Sequence, residues 1–525
     1  MSAMKTPGVY IVEKNAFPNS VVEVATAIPA FIGYTEKAVN GNNSLLNKPW
    51  KITSIAEFIL YFGGAPTPKF HFTVEDTTPD EETDEADEKT EGVRSKEITF
   101  EEKKYLLSRV DPYSLYYQML LFYANGGGPC YIVSVGDYTK EIDFDSLKNG
   151  LLPLEKEQEP TMIVIPEAVA LAVDNCYSLQ QAVLNHCGYQ MKNRFALLDI
   201  YDGYKDRKDP DGDVVNTFRE KIGSNFLDFG AAYYPWLNTT IVQESEISFA
   251  NLQGDPETAE EGLGLLVSLL KKEFDLTDDK EDGEISIEEK QLREFLEGFN
   301  PAASQEEKDT CHKVWSQISS TYSTVMKAMV DYLNLLPVSA AMAGIYTMVD
   351  NTRGVWKAPA NVSISSVVNP VLNITQDEQE DLNVPINGKA VNAIRIFTGE
   401  GNKVWGARTL DGNSLDWRYI NVRRTMIMLQ ESIKNAARAY VFDPNDANTW
   451  VNVKCMISNF LNGIWKRGGL AGASPDDAYS VHVGLGDTMT PEDILEGIMR
   501  ITVLVAMVRP AEFIEITFQQ QMQEN

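Results

Sequence analysis

Two stretches in the second half of the chain carry the most information about the fold: residues 336–361 read LPVSAAMAGIYTMVDNTRGVWKAPAN, and residues 388–410 read GKAVNAIRIFTGEGNKVWGARTL. They combine short apolar segments with large indole side chains and contain few groups able to carry out chemistry. Glycine and proline separate the apolar segments, a pattern typical of turns between strands. The residues concerned are Pro337, Gly344, Gly354, Pro359 and Gly406. The pattern predicts a region that holds a shape by packing.

Six further segments share this character. They read TPGVYIVE at residues 6–13, TAIPAFIGYT at 26–35, GGGPCYIVSVG at 126–136, AAYYPWL at 231–237, WRYINVRRT at 417–425 and RPAEFIEITFQQ at 509–520. In this order, and together with the two stretches above, they resemble the contractile tail sheath proteins. That family forms the contracting sleeve of contractile-tailed phages, R-type bacteriocins and related injection systems.

The resemblance implies an α/β fold, α+β overall, in which a subtilisin-like α/β middle domain with insertions is joined to an α+β C-terminal sheath domain. Strand-donating arms are implied at both ends. The expected divisions are an N-terminal arm at 1–22, the α/β region at 23–355 with acidic insertions near 72–104 and 255–310, the sheath domain at 356–510, and a C-terminal arm at 511–525.

Hydrophobic patterning independently predicts alternating strands and helices in the middle of the chain. Residues 130–135, 161–166 and 195–200 form continuous apolar runs, as expected of strands buried on both faces. Residues 177–189, between the last two runs, have apolar positions at helical spacing. This β-α-β order predicts a mostly parallel sheet flanked by helices. A further helix is predicted over residues 425–442.

The charge of the chain is concentrated in the two insertions. The net charge is 46 − 76 = −30, and residues 75–102 and 255–294 contribute −10 and −9 of it. By contrast, residues 395–467 hold 11 basic and 6 acidic residues. Nucleic acid is not an expected partner, because phosphate binding needs a basic face. The basic excess includes Arg423, Arg424, Lys434 and Arg438, which are candidates either for a tube-facing surface or for an ordinary solvated helix face.

The sequence lacks the usual signals for membranes, disulfides and cofactors. The longest apolar run near the C-terminus, residues 501–508, is far shorter than the ~20 residues of a spanning helix. The N-terminus has no secretory signal pattern, so we expect synthesis and assembly in the bacterial cytoplasm without direct membrane insertion. Five cysteines without C-x-x-C spacing argue against a disulfide framework or a zinc site and predict reduced packing residues. No cofactor is expected.

Residues 278–289 match much of a calcium-binding EF-hand loop. Gly283 occupies the glycine position, and predicted helices at 261–274 and 288–299 flank the loop. Lys280 stands at the third position, where it cannot act as a ligand. A solvated helix-turn-helix in an acidic insertion explains the same residues, so the metal site stays a weak candidate. Its ligands would be Asp278, Asp282, Glu284, Ser286 and Glu289.

Two catalytic interpretations are disfavoured by the sequence. A subtilisin-like fold suggests a serine hydrolase as an alternative function. The sequence has no G-x-S-x-G elbow, however, and the catalytic base could come only from His71, His186, His312 or His482. The sequence GGGPC at 126–130 precedes a strand and lacks the G-K-[ST] ending of a phosphate-binding loop, which favours a structural turn. We therefore expect no catalytic residues.

The two termini carry short alternating segments outside any obvious domain. Such strands have unpaired backbone donors and acceptors, which favours pairing with a neighbouring sheet, although each could also fold onto its own domain. The resemblance implies that adjacent sheath subunits exchange these strands. The residues concerned are Val9, Tyr10, Ile11 and Val12 at one end and Ile514, Glu515, Ile516, Thr517 and Phe518 at the other.

The expected function is that of a structural subunit, polymerised around an inner tube, which contracts to drive the tube through a target cell envelope. The implied partners are other copies of the chain in a helical homo-oligomer, the inner tube protein, and baseplate and terminator or cap proteins. The particle would be a phage tail or a phage-tail-like particle that can act outside the cell. The alternatives are a baseplate or tube-associated component of the same machine, or a subtilisin-fold hydrolase.

Overall fold

The computed structural model describes residues 20–74, 94–100, 103–254, 261–276, 287–299 and 304–517. The chain divides into two compact units. The large unit combines residues 27–352 with 358–420, and the C-terminal unit combines residues up to 26, residues 353–357 and residues from 421 onward. The expected boundary between residues 355 and 356 is corrected by this division, because residues 358–420 supply strands to the large unit.

The strands, in chain order, are β1 Pro29–Tyr34, β2 Val39–Asn40, β3 Asn43–Ser44, β4 Trp50–Ile52, β5 Phe70–Val74, β6 Ser95–Phe100, β7 Lys103–Arg109, β8 Cys130–Gly136, β9 Met162–Val164, β10 Phe195–Asp199, β11 Gly230–Tyr234, β12 Leu237–Thr239, β13 Leu335–Leu336, β14 Val367–Pro370, β15 Asn392–Phe397, β16 Gly401–Trp405, β17 Tyr479–His482 and β18 Thr502–Val505.

The α-helices are α1 Ile55–Phe62, α2 Leu115–Ala124, α3 Phe144–Asn149, α4 Val173–Asn185, α5 Val214–Lys221, α6 Gly262–Glu273, α7 Ile287–Glu297, α8 Gln305–Ile318, α9 Ser320–Asn334, α10 Ser339–Arg353, α11 Gln376–Asn383, α12 Ile420–Ala437, α13 Ala447–Lys466, α14 Pro475–Ala478 and α15 Pro491–Leu495.

An eight-stranded sheet forms the centre of the large unit, in the order β16-β15-β11-β10-β9-β1-β8-β4. The strands from β15 to β8 run parallel, and β16 and β4 close the two edges in antiparallel orientation. The three predicted apolar runs are the parallel strands β8, β9 and β10, and every residue of these strands is buried. The prediction of a parallel sheet is confirmed. Since β15 and β16 lie beyond residue 390, their pairing joins a distant part of the chain to this sheet.

The stretch that suggested turns between strands instead contains the buried helix α10. Its residues from Ser339 to Thr347 are all buried against the large core. Gly344 lies inside this helix, and a Cβ there would stand 2.5 Å from the carbonyl oxygen of Phe122 in α2. The glycine therefore permits close approach of two helices, which corrects the assignment of a turn at this position.

We expect Gly344→Ala to destabilise the protein although alanine is the better helix former. The added methyl group would overlap a backbone atom, and overpacking of this kind typically costs about 1–3 kcal/mol. The matched control is Gly463→Ala on α13, where an added Cβ meets nothing within 4 Å and should gain roughly 0.5–1 kcal/mol. Chemical denaturation of both variants measures the difference. Equal effects of the two substitutions would contradict the role assigned to Gly344.

Strands β5, β7 and β6 form a separate antiparallel sheet beside helices α6 and α9. The described residues of both acidic insertions include regular elements: residues 95–100 and 103–109 are strands, and residues 262–273 are a helix whose leucines enter the core. Four cysteines are buried, as predicted, and Cys455 is exposed. No described helix has the length and apolar character needed to cross a bilayer.

The C-terminal unit is built on α12 and α13 and a two-stranded sheet. Met428 and Leu429 from α12 pack with Met456, Ile457 and neighbouring apolar residues of α13. The predicted helix over 425–442 is confirmed for its first part, since α12 ends at Ala437.

Candidate functional site

The hairpin of the C-terminal unit has an inner and an outer face. Strands β17 and β18 pair in antiparallel register, with Tyr479 opposite Val505 and His482 opposite Thr502. Val481 and Val503 face the helical core, whereas Leu504 on the outer face is largely exposed. Within the described residues this sheet has two strands. Each strand therefore presents one edge that no other strand of that part of the chain covers, and such edges can accept a further strand.

The segment at residues 20–26 is held on the same unit. Val21 and Val24 pack against its core, and the backbone N–H of Val24 donates to Ser432 Oγ at 3.1 Å. The guanidinium of Arg424 donates to the carbonyl oxygen of Thr26 at 3.0 Å, and Glu23 forms an ion pair with Arg467. The expected start of the α/β region at residue 23 is corrected by these contacts. The sequence signal that was missed is the valine spacing in this segment.

The opposite end of the chain leaves this unit as an exposed apolar segment. The side-chain amide of Asn421 donates to the carbonyl oxygens of Trp356 and Val508, both at 2.9 Å, which fixes the chain up to that point. Residues 511–517 then have no regular structure, and Ile514 and Ile516 are 80% and 69% exposed. An exposed apolar segment of this kind is typical of a protein interaction site.

The described part of the chain covers some of the predicted linking residues and not others. Ile514, Glu515, Ile516 and Thr517 lie side by side in the exposed segment and are not in a strand. Phe518 and the N-terminal residues Val9, Tyr10, Ile11 and Val12 lie outside the described residues. Pairing of these strands with a neighbour therefore stays a prediction.

The four basic residues predicted as candidates for a tube-facing surface differ in their exposure to solvent. Arg423 and Arg424, in the first turns of α12, are only 8% and 5% exposed. This corrects their assignment to a surface. Lys434 is exposed and pairs with Glu431 at 3.1 Å, and Arg438 is exposed just beyond the helix. Only the latter two can present charge to a partner.

Two groups of side chains resemble parts of a hydrolase site, one in each unit. In the large unit, Ser339 Oγ donates to the carboxylate of Asp199 at the start of α10, and its backbone N–H donates there at 2.8 Å. In the C-terminal unit, His482 contacts Ser480 Oγ at 3.2 Å and Asp487 at 3.4 Å.

The Asp199 carboxylate acts as a helix cap for α10. Asp487, in turn, is about half exposed, unlike the buried carboxylate of a catalytic triad. The other histidines have other partners or an exposed position: His186 contacts Gln190 and Arg194, His312 contacts Tyr322, and His71 is exposed on β5.

Two buried carboxylates at the carboxyl edge of the parallel sheet cap the starts of buried helices. Glu167 accepts the backbone N–H groups of Tyr34, Ser114 and Leu115 at 2.8–3.1 Å, and Asp199 accepts that of Val338 at 2.9 Å. Burial raises the pKa of Glu167 to about 7 and that of Asp199 to about 6, against the hydrogen bonds, which lower both values. Local sequence patterns gave no sign of either residue.

We expect the free energy of unfolding to fall as the pH rises through the range from about 4.5 to 7. A carboxyl group whose pKa is higher in the folded than in the unfolded state binds protons more strongly when folded, so raising the pH weakens the folded state. For Glu167 the effect amounts to about 3 kcal/mol at most. Denaturant titrations at a series of pH values should show a flatter dependence for Glu167→Gln and an unchanged one for the exposed control Glu155→Gln. Parallel profiles for all three proteins would contradict this role.

Most of the candidate calcium loop lies outside the residues that the structure describes, including Asp278, Asp282, Glu284 and Ser286. Glu289 lies on α7, at 3.9 Å from Arg293. Among the described side chains, no group of three His, Cys, Asp or Glu residues could hold a metal ion. Calcium binding stays a prediction.

Parts of the chain match a known family model and curated proteins. Residues 413–521 match the model of the phage tail sheath C-terminal domain. The tail sheath protein of Burkholderia phage BcepMu is 27% identical over 143 residues, which are 26% of this chain and 30% of that protein. The tail sheath protein of Vibrio phage KVP40 is 24% identical over 186 residues, which are 34% of this chain and 26% of that protein. The chain thus spans less than a third of the length of these curated relatives.

Solved structures match over almost the full length. The contracted helical sheath of the anti-feeding prophage contains a chain with 25% identity and a TM-score of 0.57, covering 99% of this chain and 100% of that one. The contracted sheath complex of the extracellular contractile injection system PVC gives 26% identity and a TM-score of 0.55, covering 99% of both chains. A chain in the anti-feeding prophage baseplate is 25% identical, with a TM-score of 0.56 and coverage of 99% and 100%.

Proposed function

We propose that this chain, which matches contractile tail sheath proteins in its C-terminal domain and contracted sheath subunits over nearly its whole length, is the structural subunit of a contractile sheath that polymerises around an inner tube and contracts to drive that tube through a cell envelope. The observation that carries the proposal is the match over 99% of the chain to a subunit of a contracted helical sheath. The proposed role is mechanical and requires no catalytic residue. Assembly in the bacterial cytoplasm and a place in a phage-tail-like particle belong to the same proposal.

The C-terminal unit supplies the proposed links between subunits. Its two-stranded sheet has two edges that pair with no further described strand, and residues 511–517 leave the unit as an exposed apolar segment. We infer that Ile514–Phe518 of one subunit and Val9–Val12 of another add to the hairpin of a third, so that each sheet is completed by its neighbours. A strand of this length forms several hydrogen bonds, each worth about 0.5–1.5 kcal/mol net, and many weak links make a strong lattice.

The other proposed partners are the inner tube, the baseplate and a terminator or cap protein. Of the four basic residues considered for the tube, Lys434 and Arg438 remain as candidates because their side chains are exposed. Interfaces of this kind must persist while subunits move as nearly rigid bodies between two lattices.

Electron microscopy of the purified chain, alone and expressed with its tube protein, tests the proposed function. We expect hollow tubular polymers of regular helical symmetry. Discrete rings or a single collar, without extended tubes, would favour the second candidate, a baseplate component, which the match to a chain in a baseplate structure also supports. Ester hydrolysis that disappears in Ser480→Ala would instead overturn the purely structural role.

A further inference from the structure

The large unit contains a cavity of about 180 Å³ at the carboxyl edge of its parallel sheet. Its walls include Val169, Tyr204 and Trp236, which come from the segments after β9, β10 and β11 respectively. Ligands of open α/β sheets bind outside the carboxyl ends of the strands, near the point where the strand order reverses. Here the order reverses between β1 and β9. The cavity therefore lies where such a fold places its ligand.

Two arginines line this cavity. The guanidinium of Arg94 lies 3.8 Å from the centre of the Tyr332 ring and donates to the carbonyl oxygens of Tyr332 and Leu335. Within the described residues, no carboxylate lies within ion-pairing distance of Arg94. Burial lowers the pKa of Arg94, and the charge of the nearby Arg109 acts in the same direction. A cation in this position lacks the anionic partner that buried charges usually have.

Arg109 is only partly satisfied. Its side chain is 7% exposed, one Nη donates to the carbonyl oxygen of Tyr113 at 2.9 Å, and its Nε has no hydrogen-bond partner although Asp111 lies 3.5 Å away. The carboxylate that lines the cavity, Asp202, forms an ion pair with Lys205 at 3.3 Å. Asp202 also acts on Arg94 through its charge, but the two form no direct ion pair. Among the described residues, the lining thus keeps one guanidinium without a directly paired carboxylate, that of Arg94, and one buried N–H donor without an acceptor, the Nε of Arg109.

The walls limit the size and character of a ligand. Tyr204, Trp236 and Tyr332 contribute rings, and Val110 and Leu336 contribute aliphatic surface. The indole N–H of Trp236 already donates to the carbonyl oxygen of Ile200 at 2.9 Å, so that ring offers mainly its apolar surface. The volume is below the roughly 300–1,000 Å³ of sites for larger ligands. A single unpaired positive charge fits a monovalent anion better than a divalent phosphate.

We propose that this cavity binds a small carboxylate, whose charged group pairs with Arg94 and Arg109 and whose apolar part contacts the aromatic and aliphatic walls. The site is independent of the proposed sheath role, because it lies within the large unit and uses none of the linking residues.

Calorimetric titration of the full chain with benzoate, acetate, phosphate and the cation benzamidine tests this proposal. Benzoate should bind saturably with a dissociation constant below about 1 mM, acetate and phosphate more weakly, and benzamidine should not bind. Ala170→Trp fills the cavity from its wall and should weaken benzoate binding at least about tenfold. Ala172→Trp, an exposed position two residues on, should leave it unchanged.

A variant of the charge completes the test. Arg94→Met keeps an unbranched apolar side chain, removes the guanidinium and should abolish benzoate binding. Arg94→Lys keeps the positive charge and should retain part of the binding; circular dichroism confirms that each variant is folded. Absence of saturable benzoate binding up to about 10 mM would overturn the proposal. Equal affinities of Ala170→Trp and Ala172→Trp for benzoate would also overturn it, as would phosphate binding that is tighter than benzoate binding.

Discussion

A chain that lacks residues 511–525 is expected to remain folded and soluble but to form no tubular polymers. Phe513, Ile514 and Ile516 are 75%, 80% and 69% exposed, so their removal takes little apolar surface from either core. The melting temperature should therefore stay close to that of the full chain. Assembly should fail, because a proposed sheet would lose the several backbone hydrogen bonds of one donated strand at every contact. Electron microscopy and differential scanning calorimetry together measure the two effects.

Point variants separate strand pairing from a general need for the segment. Ile516→Pro removes one backbone donor in the middle of the proposed strand and should stop assembly, whereas Ile516→Ala keeps that donor and should only weaken it. Normal tubes from Ile516→Pro would exclude the strand as an essential link. Unfolding of the truncated chain at a lower temperature would show instead that the segment belongs to its own C-terminal unit.

Replacement of Asp381 by alanine is expected to destabilise the large unit markedly, although the residue is not part of its apolar core. Its carboxylate accepts hydrogen bonds from Arg207 and Arg219, at 2.7 and 2.8 Å. Although burial opposes it, these two arginines lower the pKa of Asp381. The side chain of Arg219 is only 1% exposed, so the substitution leaves a buried cation without its counter-ion. We expect a loss of about 3 kcal/mol, the lower end for a broken buried pair, because Asp381 is 38% exposed.

The matched control is Asp174→Ala, which removes a carboxylate that is 79% exposed and pairs with Lys221. Surface pairs are worth about 0–1 kcal/mol, so this variant should denature almost as the parent does. Asp381→Asn keeps a hydrogen-bond acceptor near Arg219, so its free energy of unfolding should lie between those of Asp381→Ala and Asp174→Ala. A loss for Asp381→Ala no larger than that for Asp174→Ala would contradict the importance of this network.

The features that could be predicted from the sequence depend on neighbouring residues. Strands β8, β9 and β10 follow from continuous apolar runs, because a strand buried on both faces needs apolar residues at every position. Helix α10 was misassigned for the opposite reason: Gly344 serves a contact with Phe122, more than 200 positions away, and its local pattern is indistinguishable from that of a turn.

The candidate site shows the same division. The exposed segment around Ile516 is visible as an alternation of residues, whereas the attachment of residues 20–26 depends on Ser432 and Arg467, some 400 positions along the chain. Burial of Arg423 and Arg424 is likewise set by which segments cover α12. A count of charges cannot distinguish an arginine on the surface from one that holds a carbonyl oxygen inside.

The attachment of residues 20–26 to the C-terminal unit has a mechanical consequence. The polypeptide enters the large unit after residue 26 and finally returns from it at residue 421, so residues 20–26 and 421–517 belong to one small unit. A pull applied at residue 20 and resisted at residue 517 would load α12, α13 and the contacts of Val24 and Asn421. Such a pull would leave the eight-stranded sheet outside its path, and we expect changes in the length and charge of the insertions to leave that path unchanged.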